Sequence, residues 1–190
     1  MGKVREPLLV KLIAGMFTAN TELLEEAKVR LSQEFGPIDY ESELLPFDHT
    51  TYYAAEFGEN LKRRFVAFAE LVHPERLAEI KLLTNALELV LSGAKGMEWA
   101  VEGKRQVNID PGYVSHAKLV LATTKDHAHR VYLGQGIYAE VTLHFRSGTF
   151  QPWPWTYPDY ASLPLIAIFN QIRELYVKQC RQTSCVKRDQ

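Results

Sequence analysis

Residues 8–17 read LLVKLIAGMF, an apolar run interrupted only by Lys11. So continuous a run is the pattern of a strand covered on both faces. Residues 64–72, RFVAFAELV, repeat the pattern with apolar residues on both sides. Between these strands, Asn20 or Thr21 caps a helix of about fifteen residues. That helix carries Leu23, Leu24, Ala27, Leu31 and Phe35 on one face and stops at Gly36-Pro37. Residues 38–47 read as a more polar strand, nearer a sheet edge, followed by a polar turn region with Tyr52, Tyr53 and Phe57. Pro74 then takes a first-turn position, and Leu77, Ile80, Leu83, Leu87 and Leu91 recur at helical spacing up to Ser92-Gly93. Residues 105–109, RQVNI, supply a fourth short strand.

The order strand, helix, strand, strand, helix, strand predicts an α+β fold, a ferredoxin-like βαββαβ plait over residues 1–110. Strands two and three join without a helix between them, which favours an antiparallel sheet over a doubly wound one. Residues 111–180 extend the plait within the same domain, and residues 181–190 form a frayed tail. The extension opens with a short helix over 115–124 and continues as a hairpin. Its first arm alternates Val131 and Leu133 with Arg130 and Tyr132; its second alternates Ile137, Ala139, Val141, Leu143 and Phe145 with Tyr138, Glu140, Thr142 and His144. A three-residue loop, Gly134-Gln135-Gly136, keeps the apolar residues on one face and sets Arg130 opposite Glu140 and Tyr132 opposite Tyr138. A proline-rich elbow at 150–155 leads to a final helix from about Ser162, with Leu165, Ile168, Phe169, Ile172 and Leu175 inward.

Composition narrows the function classes. No apolar run approaches the roughly 18–20 residues that span a bilayer, and the N-terminus has no signal-peptide core. Two cysteines near the C-terminus, Cys180 and Cys185, cannot staple a core and fit a reduced, cytoplasmic chain. The net charge of −1 hides an asymmetry: residues 20–60 carry ten acids against two bases, whereas residues 61–190 carry seventeen bases against twelve acids. The balance argues against a duplex-DNA footprint but leaves room for a local anion site in the later two thirds.

Three stretches carry candidate chemistry. In Asn108-Ile-Asp-Pro-Gly-Tyr113, either a turn forms at Asp-Pro-Gly, or Asn108 and Asp110 share a face at a strand end and aim oxygens at a ligand. The run 123–130, TTKDHAHR, gathers Lys125, Asp126, His127, His129 and Arg130. Two imidazoles at His-x-His spacing do not make a metal site unless a third ligand, such as Asp110 or Glu140, comes from elsewhere; no metal centre is assigned, and the cofactor is left open. An anion site fits better: Lys125 and Arg130 supply charge, the hydroxyls of Thr123 and Thr124 donate, and His129 serves as a donor or as an acid/base group. Glu140 faces Arg130 across the hairpin, either as a structural pair or as the group that orients the guanidinium toward an anion. In 153–160, WPWTYPDY, four aromatic rings either cover the core or stack on planar ligands. The P-loop, dinucleotide, nucleophile-elbow and zincin motifs are all missing.

The combination of NIDPGY (108–113), TTKDHAHRVYLGQGIYAEVTL (123–143) and WTYPDY (155–160) resembles an uncharacterised prokaryotic family described as a domain of unknown function. Members of that family often carry the label GTP-binding protein. Here Thr124-Lys125-Asp126 echoes a guanine-reading Thr-Lys-x-Asp with the aspartate one position early. The resemblance identifies relatives and carries over no catalytic residues.

Two function classes remain. One is binding of a small anionic, phosphorylated ligand, with nucleotides a subclass. Lys125 and Arg130 would neutralise it, Glu140 would orient Arg130, Asn108 and Tyr132 would add contacts, and Asp110 or His129 would exchange protons. The other is a non-catalytic RNA-binding or protein-interaction module using Trp153, Trp155 and Tyr157. A concave convergence of Lys125, Arg130 and Asp110 favours the first; an open basic face flanked by exposed tryptophans favours the second.

Overall fold

The computed structural model describes residues 2–47, 57, 60–93 and 105–182; Tyr52, Tyr53, Cys185 and the tail from 183 lie outside them. The apolar run becomes β1 (Val10–Thr18), buried at every position. Its neighbours are β4 (Lys62–Val72) on one side and β5 (Asn108–Val114) on the other, both antiparallel. Outward from β4 lie the edge strand β2 (Ile38–Glu41) and the two-residue β3 (Leu45–Pro46). Outward from β5 follow β6 (Lys118–Thr123), β8 (Ile137–Arg146) and β7 (Arg130–Gly134), with β9 (Thr149–Pro152) also paired to β8. The nine strands form one antiparallel sheet, with helices α1 (Thr21–Phe35), α2 (Leu77–Leu91) and α3 (Leu163–Gln182) among the described residues. The protein is thus α+β. No helix among the described residues is long and apolar enough to cross a membrane.

Both faces of the central strands are covered, which explains why β1 alternates nothing. Leu24, Leu31 and Phe35 of α1 and Ile80 of α2 pack on Leu12, Met16, Val66 and Phe68. On the opposite face, Leu165, Phe169 and Ile172 of α3 pack on Ile13, Phe65, Ala67 and Val114. Each such side chain contributes roughly 1.5–3 kcal/mol by leaving water. Asn20 caps α1 by accepting from the Glu22 N–H, and Gly36 ends it at φ +86°.

Lys11 is the polar interruption in β1, and it is fully buried. Its ammonium donates to Asp39 Oδ2 at 2.7 Å, Gln179 Oε1 at 2.8 Å and the Phe68 carbonyl at 3.0 Å. Burial holds its pKa below the usual lysine value, against the pull of Asp39. Glu70, the charged residue inside the other apolar run, instead lies exposed beside Gly36.

In the hairpin, Arg130 faces Glu140 and Tyr132 faces Tyr138, as read from sequence, but the loop is the two residues Gln135-Gly136 rather than three: Gly134 pairs with Ile137, and an irregularity between Tyr132 and Gly134 keeps the register. The hairpin's apolar face is not wholly inside. β7 is the edge strand, and Val131 stays 68% exposed. Where a helix was expected over 115–124, a turn leads into the strand β6. That tight turn, closed by Ser115 N–H to the Lys118 carbonyl, folds β6 back on β5, and Leu119 and Val120 bury themselves toward opposite layers. The Asp-Pro-Gly segment likewise does not turn; it continues β5 through Val114 because the β1 ladder pairs residues on both sides of Pro111.

β5 and β6 pair only at Gly112–Leu121, Tyr113–Val120 and Val114–Leu119. At Gly112 they press so close that an added Cβ would sit 2.4 Å from the Val120 carbonyl oxygen. Gly112→Ala should therefore lower stability by about 1–3 kcal/mol, as overpacking does. A lowered urea midpoint with unchanged slope would register it; an unshifted midpoint would show that the strands part freely there.

Candidate functional site

Beyond Gly112 and Leu121 the β5–β6 ladder ends, and the two strands separate around a cleft of about 710 Å³. A strand that loses its neighbour inside a protein must find other partners for its backbone groups. Here α2 provides them. Glu88 Oε1 accepts from the Ile109 N–H at 2.6 Å, and Lys81 Nζ donates to the Ile109 carbonyl at 3.0 Å. Lys81, Thr84 and Glu88 form a buried polar stripe on α2 at helical spacing. Leu83, expected inward, is instead 36% exposed.

From this anchorage a polar network spreads along β5. Lys81 also reaches Asp110 Oδ1 at 3.1 Å, and Asn108 Nδ2 donates to Asp110 Oδ2 at 2.7 Å. Arg105 donates to Glu88 Oε2 at 3.0 Å and to Asn108 Oδ1 at 3.1 Å. Asn108 and Asp110 thus share a face, as their spacing suggests. Burial pushes the Glu88 carboxyl above its ordinary value, with Lys81 and Arg105 pulling the other way.

The opposite wall comes from β7, β8 and the loop after β6. Glu140, nearly fully buried, accepts from Arg130 Nε at 2.9 Å and contacts His129 Nε2 at 3.1 Å through one oxygen, and accepts from the Thr142 hydroxyl at 3.2 Å through the other. Arg130 also donates through Nη1 to the Lys125 carbonyl at 3.0 Å and through Nη2 to the Tyr157 hydroxyl at 3.2 Å. Thr123 Oγ1 accepts from the Lys125 N–H, shaping the loop that presents Thr124 and Lys125 at the mouth.

The inner end is built by residues far apart in sequence. Arg63, from β4, pairs with Asp159 and lies 3.7 Å from the centroid of the Phe47 ring. Asp159 also accepts from the Tyr160 N–H at 2.8 Å. The Tyr160 side chain fits over Gly15 of β1, where a Cβ would come within 3.6 Å of the phenol oxygen. Burial, with smaller pushes from Asp110, Asp159 and Glu140, drives this phenol well above the usual tyrosine range, so it keeps its proton.

Of the sequence candidates, Asn108, Asp110, Lys125, Arg130 and Glu140 all line the cleft. His129 stands behind Glu140, outside the lining. Tyr132 is 59% exposed against Tyr138 on the far hairpin surface and does not reach the cleft. Arg63, Lys81, Glu88, Arg105, Asp159 and Tyr160 complete the site without having been singled out. Only the Lys81–Thr84–Glu88 stripe left a local trace, three polar residues at i, i+3 and i+7 beside the apolar face. Five cations and four carboxylates line the cleft among the described residues, and each carboxylate touches a cation.

A family model described as Domain of unknown function (DUF4416) matches residues 8–176, from just before β1 to Tyr176 in α3. No curated protein and no solved structure matches the chain.

Two outcomes test the electrostatics. Arg130→Ala leaves Glu140 buried beside only His129 and Thr142, and should cost about 3–5 kcal/mol; adding Glu140→Gln should recover most of it. A double variant no more stable than the single one would remove the pair from the account. For Glu88, the raised folded pKa means that the native state holds its proton to higher pH than the unfolded chain. The stabilisation is present at low pH and is lost as pH rises through the folded value. The stability of Glu88→Gln relative to the parent should therefore improve as pH climbs above the ordinary glutamate range; a pH-independent difference in urea midpoint would contradict this.

Proposed function

The chain belongs to the DUF4416 family, and from its cleft we propose that it binds a small anionic ligand, with a phosphorylated molecule the best fit. One observation carries this reading: Asp110 of β5 converges with Lys125 and Arg130 of the 123–130 run on one concave space of about 710 Å³. That volume lies in the range of small-molecule sites, roughly 300–1,000 Å³. Phosphate oxygens at the mouth would meet the Lys125 ammonium and the Thr124 hydroxyl, with the Arg130 guanidinium behind them. Glu140 holds that guanidinium by its Nε, so its plane is set before a ligand arrives. Asp110 is the group placed to exchange a proton with such a ligand. It lines the cleft and is only half-buried, while Lys81 and Asn108 hold it in place. His129 reaches the ligand only through Glu140.

A second reading, an RNA-binding or interaction module, draws on one feature. His127, His129, Trp155 and Trp153 stack in sequence with centroids 5.9, 5.6 and 5.2 Å apart, and His144 closes the row 4.2 Å from Trp153. The tryptophans are only 37% and 39% exposed, and their facing surfaces are already taken by each other. Base stacking needs free ring faces, so this row supports covering of β8 better than a nucleic-acid platform.

Thermal-shift screening against inorganic phosphate, sugar phosphates, nucleotides, divalent metals and short RNA separates the two. Ligand at a hundredfold excess over its Kd stabilises the native state by about 2.7 kcal/mol. A phosphorylated small molecule should raise the melting temperature, and Lys125→Ala should shrink that rise measured from the variant's own unliganded melt. A salt-sensitive rise with RNA alone would transfer the assignment to the interaction module, and silence with every phosphorylated compound would overturn the anion site.

A further inference from the structure

The two ends of the cleft differ in chemistry, and the difference specifies the ligand more closely. At the mouth, Thr124 and Lys125 are exposed. At the inner end, Arg63, Asp159 and Tyr160 are 7%, 8% and 5% exposed. Arg63 and Asp159 satisfy each other, but the Tyr160 hydroxyl has no hydrogen-bond partner among the described residues, although it lines the cleft. The ring is buried but the phenol oxygen opens onto the cleft, where a ligand can bond to it. The carboxylates of Asp110, Asp159 and Glu140 and the guanidinium of Arg63 all act on that oxygen electrostatically.

The cations at that end are already engaged by the acids, so a phosphate gains little there compared with the mouth. A neutral group carrying hydroxyls suits the inner end, because each hydroxyl both donates and accepts. Such a group can donate to Asp110, whose oxygens keep lone pairs beyond those used by Lys81 and Asn108, and can accept from the phenol of Tyr160. We propose that the inner end of the cleft, between Tyr160 and Asp110, holds the polyhydroxylated part of the ligand with its phosphate directed outward to Thr124 and Lys125, so that the ligand class is a sugar phosphate, free or within a nucleotide. This rests on the anion-site reading above and adds an orientation to it. Tyr160 is then a specificity residue, and its neutral phenol donates throughout the physiological pH range.

The test compares ligands of one charge that differ in hydroxyls. Affinities of ribose 5-phosphate, glucose 6-phosphate and methyl phosphate are measured by titration calorimetry on the parent chain, Tyr160→Phe and Lys125→Ala. Tyr160→Phe removes one oxygen that bonds to no described residue, so its melting temperature should match the parent. At least one sugar phosphate should bind about tenfold or more tighter than methyl phosphate, the worth of one or two good hydrogen bonds. Tyr160→Phe should erase most of that advantage and leave methyl phosphate within about twofold, whereas Lys125→Ala should weaken all three. Asp110→Asn, which keeps the side-chain shape, should also reduce the advantage and covers the case of a poorly folding Tyr160→Phe. Equal binding of methyl phosphate and both sugar phosphates, or an advantage that survives both Tyr160→Phe and Asp110→Asn, overturns the orientation while leaving the anion site standing. Binding of none of the three overturns both.

Discussion

Ile109 presents an N–H and a carbonyl to a place where no neighbouring strand stands, and the site follows from how those two groups are satisfied. A sheet interior that opens leaves donors and acceptors exposed to a low-dielectric space, where each unpaired group costs free energy. α2 answers with one carboxylate and one ammonium, Glu88 on the N–H and Lys81 on the carbonyl. Both charges are themselves buried and need partners in turn. Glu88 takes Arg105 and Lys81 takes Asp110, whose second oxygen takes Asn108. The polar wall of the cleft is thus the chemical consequence of a ladder that stops three pairs after it starts.

The opposite wall depends on the proline-rich segment between β9 and α3. Trp155 Nε1 donates to the Val141 carbonyl and Thr156 Oγ1 to the Thr142 carbonyl, so the segment is fastened along β8. Trp153 and Trp155 stack on each other and on His144 and His129 beside it. This fastening delivers Tyr157, Asp159 and Tyr160 to the cleft in fixed positions. The Tyr157 hydroxyl meets Arg130, and Asp159 meets Arg63. The aromatic row and the charged cleft are therefore one construction, in which the rings set the geometry and the ions line the space.

Local patterns were legible where the physics is local. The alternation of the hairpin fixed its register through Arg130–Glu140, and Asn20 and Gly36 marked both ends of α1. Asp110-Pro111-Gly112 carried every mark of a turn, yet the β1 ladder pairs straight through it and held the segment extended. Residues 115–124 failed as a helix for a similar reason, since pairing with β5 and β8 outweighed weak local preference. Half of the site was visible because it clusters in 108–140. The other half was not, because Arg63 and Asp159 meet across 96 residues and no spacing rule connects them. Lys81 and Glu88 were not singled out on their helix, and only the missing strand neighbour explains why they turn inward.

The pairing of charges also decides how the cleft can discriminate. Asp110, Glu88, Glu140 and Asp159 each contact a cation, so the interior presents little net field despite its density of charge. Attraction at long range, of the kind that draws polyanions to a basic face, is weak in such a space. What remains is the direction of individual donors and acceptors, set by side chains whose own hydrogen bonds restrict them. Arg130 is held at Nε by Glu140, and Asp110 at both oxygens by Lys81 and Asn108. Groups fixed in this way favour a ligand whose atoms match their positions over one that merely carries charge, because a mismatched partner leaves buried polar atoms unpaired. The same internal pairing that lets the sheet stay open therefore gives the cleft the means to be selective.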